Sequence, residues 1–305
     1  MSLIVLIALI SLQPALGVEC TSIRIGLTHT PSDQGELNTC YAHVAVTMVD
    51  AVLAQAQPTS VLNTALGANE ESGETPEWGR PCEAINHLRF STQCSENEIP
   101  NVFKRRTPLN DLGWYYRWYR SLGSSSFAET VVVNSIYDYL VHELKLAENR
   151  VPSKDELAAL LKQENPTTYL RAIVAYQCFK RLKTPRQIPA CHEVDIQHAG
   201  LAETMIHDLL ETRPLLPVGI TFCMQTLTEK TSDGLRNGVP SEKCNPHSAV
   251  IVGRQQKNGT CQFLVRNSWG TACTRYHPSL QCQNGEVWID ASALTRNTYQ
   301  ISHLK

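Results

Sequence analysis

Apolar residues recur at two different periods along this chain, and the change of period divides it. Thr21–Asn38 is polar and turn-rich, with Pro31, Gly35 and Asn38. From about Cys40 to Gln55 the chain is rich in Ala and Val, and Tyr41, Ala45, Met48 and Val49 fall at helical spacing. That spacing predicts a helix, with Asn38 or Thr39 as its N-cap. Ser60–Trp78 reads as a polar loop and Cys82–Phe90 as a short helix. Between about Asn101 and Ala199 the apolar positions again lie three or four apart, in Trp114–Leu122, Ile136–Leu144 and Lys154–Leu161. Gly123, Pro152 and Pro166 punctuate this stretch, and a further helix fits Ala202–Leu210. The later runs Leu216–Phe222, Ser248–Gly253, Gln262–Arg266 and Gly285–Asp290 are short, β-rich and bounded by turn residues. A helical half followed by a strand-rich half predicts an α+β fold with a ligand cleft between the two.

The first residues stand apart. Leu3–Leu12 is an apolar run, and Ala15-Leu16-Gly17 has the small-x-small spacing of a signal-peptidase site, so residues 1–17 are expected to be a signal peptide. Neither this run nor any later one is long and apolar enough to span a bilayer as a helix. The expected destination is secretion, or another oxidising compartment such as a lysosome or periplasm. Too few residues separate this cleavage point from Gln34 to form an inhibitory prosegment, so none is expected.

With 305 residues, a net charge of −2 and 18% charged residues, the chain has the balance of a soluble protein with a sizeable core. Nothing in that balance points to nucleic acid or an anionic membrane surface. The eleven cysteines never occur as Cys-x-x-Cys, and neither His-Glu-x-x-His nor a Gly-rich phosphate loop is present. No metal or organic cofactor is therefore implied. An odd count in an oxidising compartment leaves one thiol after ten have paired.

Cys40 is the cysteine to single out. At the first turn of a helix, free backbone N–H groups and the macrodipole favour a thiolate. Its surroundings carry a resemblance. Asp33-Gln34-Gly35-Glu36-Leu37-Asn38-Thr39-Cys40-Tyr41-Ala42 resembles the nucleophile segment of papain-like cysteine peptidases, with a Gln six residues before the Cys and an aromatic after it. Pro246-His247-Ser248-Ala249-Val250 resembles that family's histidine strand, and Asn267-Ser268-Trp269-Gly270 is identical to its asparagine motif. Gly79–Pro100, Pro214–Phe222 and Gly285-Glu286-Val287-Trp288-Ile289 also resemble family segments. Two departures mark a divergent branch: Leu37-Asn38-Thr39 stands where the family has Cys-Gly-Ser, and Tyr41 where Trp is more frequent.

The resemblance implies a papain-like fold, a helical half plus an antiparallel β-barrel-like half with the active site in the groove. It implies a nucleophile at Cys40, its base at His247, an orienting Asn267, oxyanion donors at Gln34 and the Cys40 backbone N–H, and a shielding Trp269. His43, one helical turn after Cys40, is a rival base by spacing. The implied substrate is a polypeptide, and a proteinaceous inhibitor is a conceivable partner. An amidase or transpeptidase using the same acyl-enzyme, and a catalytically silent binding protein on this fold, are the alternatives. The expected division is 18–100 for the helical half and 201–305 for the β-rich half. Between them, 101–200 is an insertion that carries the Cys40-to-His247 interval beyond the family's usual range of roughly 130–150 residues.

Three readings remain. With Cys40 free, neighbours in sequence suggest Cys82–Cys94, Cys178–Cys191, Cys223–Cys244 and Cys273–Cys282, leaving Cys20–Cys261, though sequence proves no connectivity. The aromatic-basic run from Trp114 to Arg120 suits helix packing better than stacking on a ligand. Asn258-Gly259-Thr260 fits a glycosylation sequon. Sequencing the N-terminus of the mature protein is expected to return Val18; a start beyond Cys40 would overturn the assignment of the nucleophile.

Overall fold

The computed structural model describes residues 20–54, 57–69, 76–91, 93–123, 125–178, 181–182, 188–229, 235–236, 239–240 and 244–305. The expected signal peptide lies outside them. Helix α1 (Cys40–Leu53) runs through the middle of the molecule, and it is buried nearly all round because Ala, Val and Met dominate it and leave only the narrow His43–Thr47–Asp50 stripe polar. On one side it meets α2 (Val61–Ala68) and α3 (Pro81–Phe90), and on the other a sheet. The reading of 60–78 as a loop is corrected by α2. Ser60 Oγ accepts the Asn63 N–H at 3.2 Å and caps a helix whose two apolar faces were hidden by its small polar residues. Val61 and Ala65 face the central core, whereas Leu62 and Leu66 enter a second one.

That second core is built by α4 (Arg106–Ser121), α5 (Ser126–Asp138), α6 (Lys154–Leu161) and α7 (Pro166–Ala175). Phe103, Leu112, Ile136, Leu157 and Ile173 are fully buried in it. The aromatic-basic run divides by helical phase: Tyr116 and Tyr119 point into this core, while Trp114 stays half exposed and stacks on Trp118 at 5.2 Å.

The sheet has eight strands: β1 (Ile23–Arg24), β2 (Cys191–Asp195), β3 (Val218–Cys223), β4 (Pro246–Lys257), β5 (Thr260–Arg266), β6 (Gln281–Gln283), β7 (Glu286–Asp290) and β8 (Thr298–Leu304). Their order is β6-β7-β5-β4-β3-β8-β2, with β1 added to β4 and every pairing antiparallel. The end strands do not pair with each other, so the sheet is open rather than closed into a barrel. Helix α8 (Ala199–Thr212) packs on it. Strand β2 was hidden in a stretch expected to be mostly helical, because Cys-His-Glu-Val-Asp is polar and lies half-buried at the sheet's edge. Asn258 and Gly259 form the exposed turn of the β4–β5 hairpin. Among the described residues no helix is long and apolar enough to cross a membrane.

All eleven cysteines are described, and ten pair: Cys20–Cys261, Cys82–Cys191, Cys94–Cys178, Cys223–Cys244 and Cys273–Cys282. The expected Cys82–Cys94 and Cys178–Cys191 bridges are therefore exchanged. Cys82 stands in the first turn of α3, which carries the chain about 12 Å along its axis by Phe90, and Cys94 then pairs in a short ladder with Arg181, close to Cys178. Strand β2 instead brings Cys191 to the start of α3, where the Cys82 N–H also donates to Glu193 Oε1 at 3.0 Å.

The N-terminal segment is held by a buried cation. Arg254 donates to the Thr21 carbonyl, meets His207 Nδ1 at 2.7 Å and pairs with Glu211 at 2.7 Å, which satisfies a guanidinium otherwise costly to bury. α1 approaches the sheet closely because β3 offers Gly219. A Cβ there would lie 2.8 Å from Val44 Cγ1 and 3.2 Å from Met48 Sδ. Gly219→Ala is expected to lower stability by about 1–3 kcal/mol, read from urea denaturation.

Candidate active site

Thr39 caps α1 with its carbonyl alone, accepting from the Ala42 and His43 N–H groups at 3.0 and 3.1 Å, and its side chain makes no cap bond. The Tyr41 amide, which that carbonyl does not take, is left to the residue that opens the helix, Cys40, whose thiol is the one left unpaired. Strand β4 begins opposite it. Its register against β3 sets His247 beside Phe222, and its pairing with β5 delivers Asn267, just past the end of β5, to the same ring. His247 Nε2 lies 2.6 Å from Asn267 Oδ1. That oxygen also accepts the Ser268 N–H at 2.8 Å, which fixes the Asn267 amide with its oxygen toward the ring. Nε2 must then carry the hydrogen, and Nδ1 is left for Cys40.

The thiol titrates under the influence of His247. Burial pushes the Cys40 thiol up, but the His247 hydrogen bond and charge, with the Ser248 and Tyr41 backbone N–H groups, outweigh it and hold the thiol below its ordinary range. For His247 burial works downward, and the Cys40 bond and charge together with Asn267 raise the imidazole above its ordinary value. The shifts are opposite in sign, as an imidazolium–thiolate pair requires.

Gln34 reaches the site through a short pairing of 32–34 with 268–270. The Gln34 N–H donates to the Ser268 carbonyl at 2.9 Å, the Gly270 N–H to the Ser32 carbonyl at 3.1 Å, and Asp33 bridges to Trp269. Ser268 Oγ donates to Gln34 Oε1 at 2.5 Å, so the amide turns its oxygen to Ser268 and its N–H groups away. Trp269 packs on His247 with ring centroids 5.4 Å apart and on Tyr276 at 5.2 Å, and Phe222 meets the imidazole edge-on at 5.9 Å. The structure thus brings Gln34, Cys40, His247, Asn267 and Trp269 together. Sequence reasoning missed the work of Ser268, although it stands within the Asn-Ser-Trp-Gly motif. It also missed Tyr276, whose position carries no motif.

His43 is elsewhere. It is buried against Ser32 Oγ at 2.7 Å, and burial, with the charges of Lys104 and His247, pushes its pKa down to about 3. A neutral ring so held is a poor match for the thiolate's counter-ion. A cavity of about 540 Å3 follows the His43–Thr47–Asp50 face of α1 and touches Ser248 and Asn267, but Cys40 does not line it.

Comparison with known proteins rests on shape. No protein-family model matches the chain, and no curated protein sequence matches it. Among solved structures, xylellain, a cysteine protease from Xylella fastidiosa, superposes with a TM-score of 0.50 over 93% of this chain and 85% of its own, at 13% identity. A chain from the structural study of the mite allergens Blo t 1 and Der p 1 gives 0.50 over 97% and 74%, at 10% identity. The fold is papain-like. At such identity the likeness is one of fold.

Alkylation of Cys40 by iodoacetamide is expected to persist as pH falls below the ordinary thiol range, because the thiol is depressed. In His247→Ala, burial is the largest influence left, so the titration midpoint should move upward. In His43→Ala it should not move.

Proposed function

We propose that this chain is a cysteine peptidase that hydrolyses peptide bonds through a thioester acyl-enzyme. The observation that supports it most is the Cys40–His247–Asn267 line in a chain whose ten other cysteines are all disulfide-bonded. The Cys40 thiolate attacks the scissile carbonyl carbon; a C–S bond forms and the carbonyl electrons move to oxygen. Gln34 and the Cys40 backbone N–H donate to that oxyanion. The His247 imidazolium gives its proton to the leaving amine as the C–N bond breaks. It then takes a proton from water, which attacks the thioester, breaks the C–S bond and releases the acid. Asn267 holds the ring in the tautomer and angle that both transfers need. Trp269 keeps water from the His247–Asn267 hydrogen bond, which strengthens it.

Five disulfides fit an oxidising compartment. Secretion through a signal peptide at residues 1–17 accounts for them, and polypeptide substrates, or a protein inhibitor occupying the same groove, are the partners such a peptidase would meet.

Cleavage of a peptide library by the purified chain tests the reading. Cys40→Ala and His247→Ala are expected to abolish turnover. Gln34→Ala should cost on the order of 10²–10³ in rate, about 3–4 kcal/mol, and Asn267→Ala a partial loss because its effect is indirect. Product formation only with an added amine would make the chain a transferase on the same acyl-enzyme. A Cys40 inert to electrophiles would leave a binding protein.

A further inference from the structure

The turn that carries Gln34 is gripped from two sides. Ser268 and Gly270 hold its inner side; its outer side rests on the segment that opens the second core. Gly35 has φ +61, and a Cβ there would lie 2.9 Å from the Lys104 carbonyl oxygen, so the turn sits directly on that backbone. Leu37, three residues before the candidate nucleophile, is only 4% exposed and packs in the second core with Phe103, Leu109 and Leu112. One residue gathers these contacts. The Arg106 N–H, at the first position of α4, donates to Glu36 Oε2 at 3.3 Å, so a carboxylate from the turn supplies the cap that Arg105 does not. The Arg106 guanidinium donates through Nη2 to the Glu36 carbonyl at 3.2 Å and through Nε to Glu77 Oε1 at 2.7 Å.

Glu77 belongs to the other side of the nucleophile. Beside it, the Pro76 carbonyl accepts the Tyr41 hydroxyl at 3.0 Å, and Gly79 abuts the Tyr41 ring so closely that a Cβ would lie 2.5 Å from it. Tyr41 follows Cys40 directly. A single planar cation thus joins the turn bearing Gln34 to the segment that leans on the residue after Cys40, in the forked geometry that lysine does not offer.

We propose that Arg106 is a positioning residue for the acyl-transfer step. It holds the Gln34 amide at the distance from Cys40 at which both donors can reach one oxyanion, and it couples the helical insertion to the reaction. This rests on the peptidase reading above. The contacts lie at a half-exposed surface, which moderates each of them.

Arg106→Ala tests it in three readouts: kcat on a cleaved peptide, the rate of Cys40 alkylation by iodoacetamide, and a cycle with Gln34→Ala. Displacement at the carbon of iodoacetamide needs no oxyanion donor, whereas acyl transfer does. The expected result is a loss of about tenfold in kcat with alkylation and melting temperature little changed. The double variant should be no slower than Gln34→Ala alone, since the arginine acts through that amide. Arg106→Lys should recover part of the loss. Unchanged kcat, a matching fall in alkylation, or additive losses in the double variant would each overturn the proposal. A wild-type chain that cleaves nothing would sink the peptidase reading and this inference with it; an active wild type with an indifferent Arg106→Ala sinks only the inference.

Discussion

The seating of α1 on the sheet is the contact on which the site depends. A helix that opens with a thiol is useful only if its first turn faces an imidazole, and the imidazole here stands on β4. Val44 and Met48 close the gap from the helix side, and Gly219 permits it from the sheet side. The antiparallel register then does the rest: His247 lies opposite Phe222 and Val250 opposite Arg266, so Asn267 arrives one residue past the end of β5 without a specialised loop. Ordinary ladder pairing fixes groups that lie far apart in the chain.

This explains why the candidate site was legible in the sequence. Its members sit at fixed offsets from element ends: Cys40 at a helix start, His247 near a strand start, Asn267 after a strand end. Local motifs capture such offsets. The open sheet and the edge strand β2 were not legible, because strand order and closure depend on which distant segments pair. The polar Cys-His-Glu-Val-Asp of β2 leaves no apolar alternation to read. α2 was missed for a local reason: Ser60 signals a cap, but Asn63, Thr64 and Gly67 dilute its two apolar stripes.

The cysteine pairing carries a sharper lesson. Proximity in sequence suggested Cys82–Cys94, yet Cys82 opens the helix read at Cys82–Phe90, and the chain runs away from it along the helix axis. A rigid element between two cysteines makes near neighbours in sequence distant in space, and the edge strand, unseen in the sequence, supplied the true partner. Ser268 shows the converse. It was in plain sight inside a motif, but its hydroxyl matters only because 32–34 lies alongside 268–270, a pairing no local pattern reports.

The Cys20–Cys261 bridge spans 241 residues, and every other described element up to the end of β4 lies within the loop it closes. A single backbone cut anywhere between those two cysteines would leave both pieces joined by a covalent bond. A chain with this topology can be nicked by a protease in the surface loops between those cysteines and still travel as one particle. Losing a fragment from within that loop would take two cuts, placed so that no disulfide ties the piece to the rest, or a reductant.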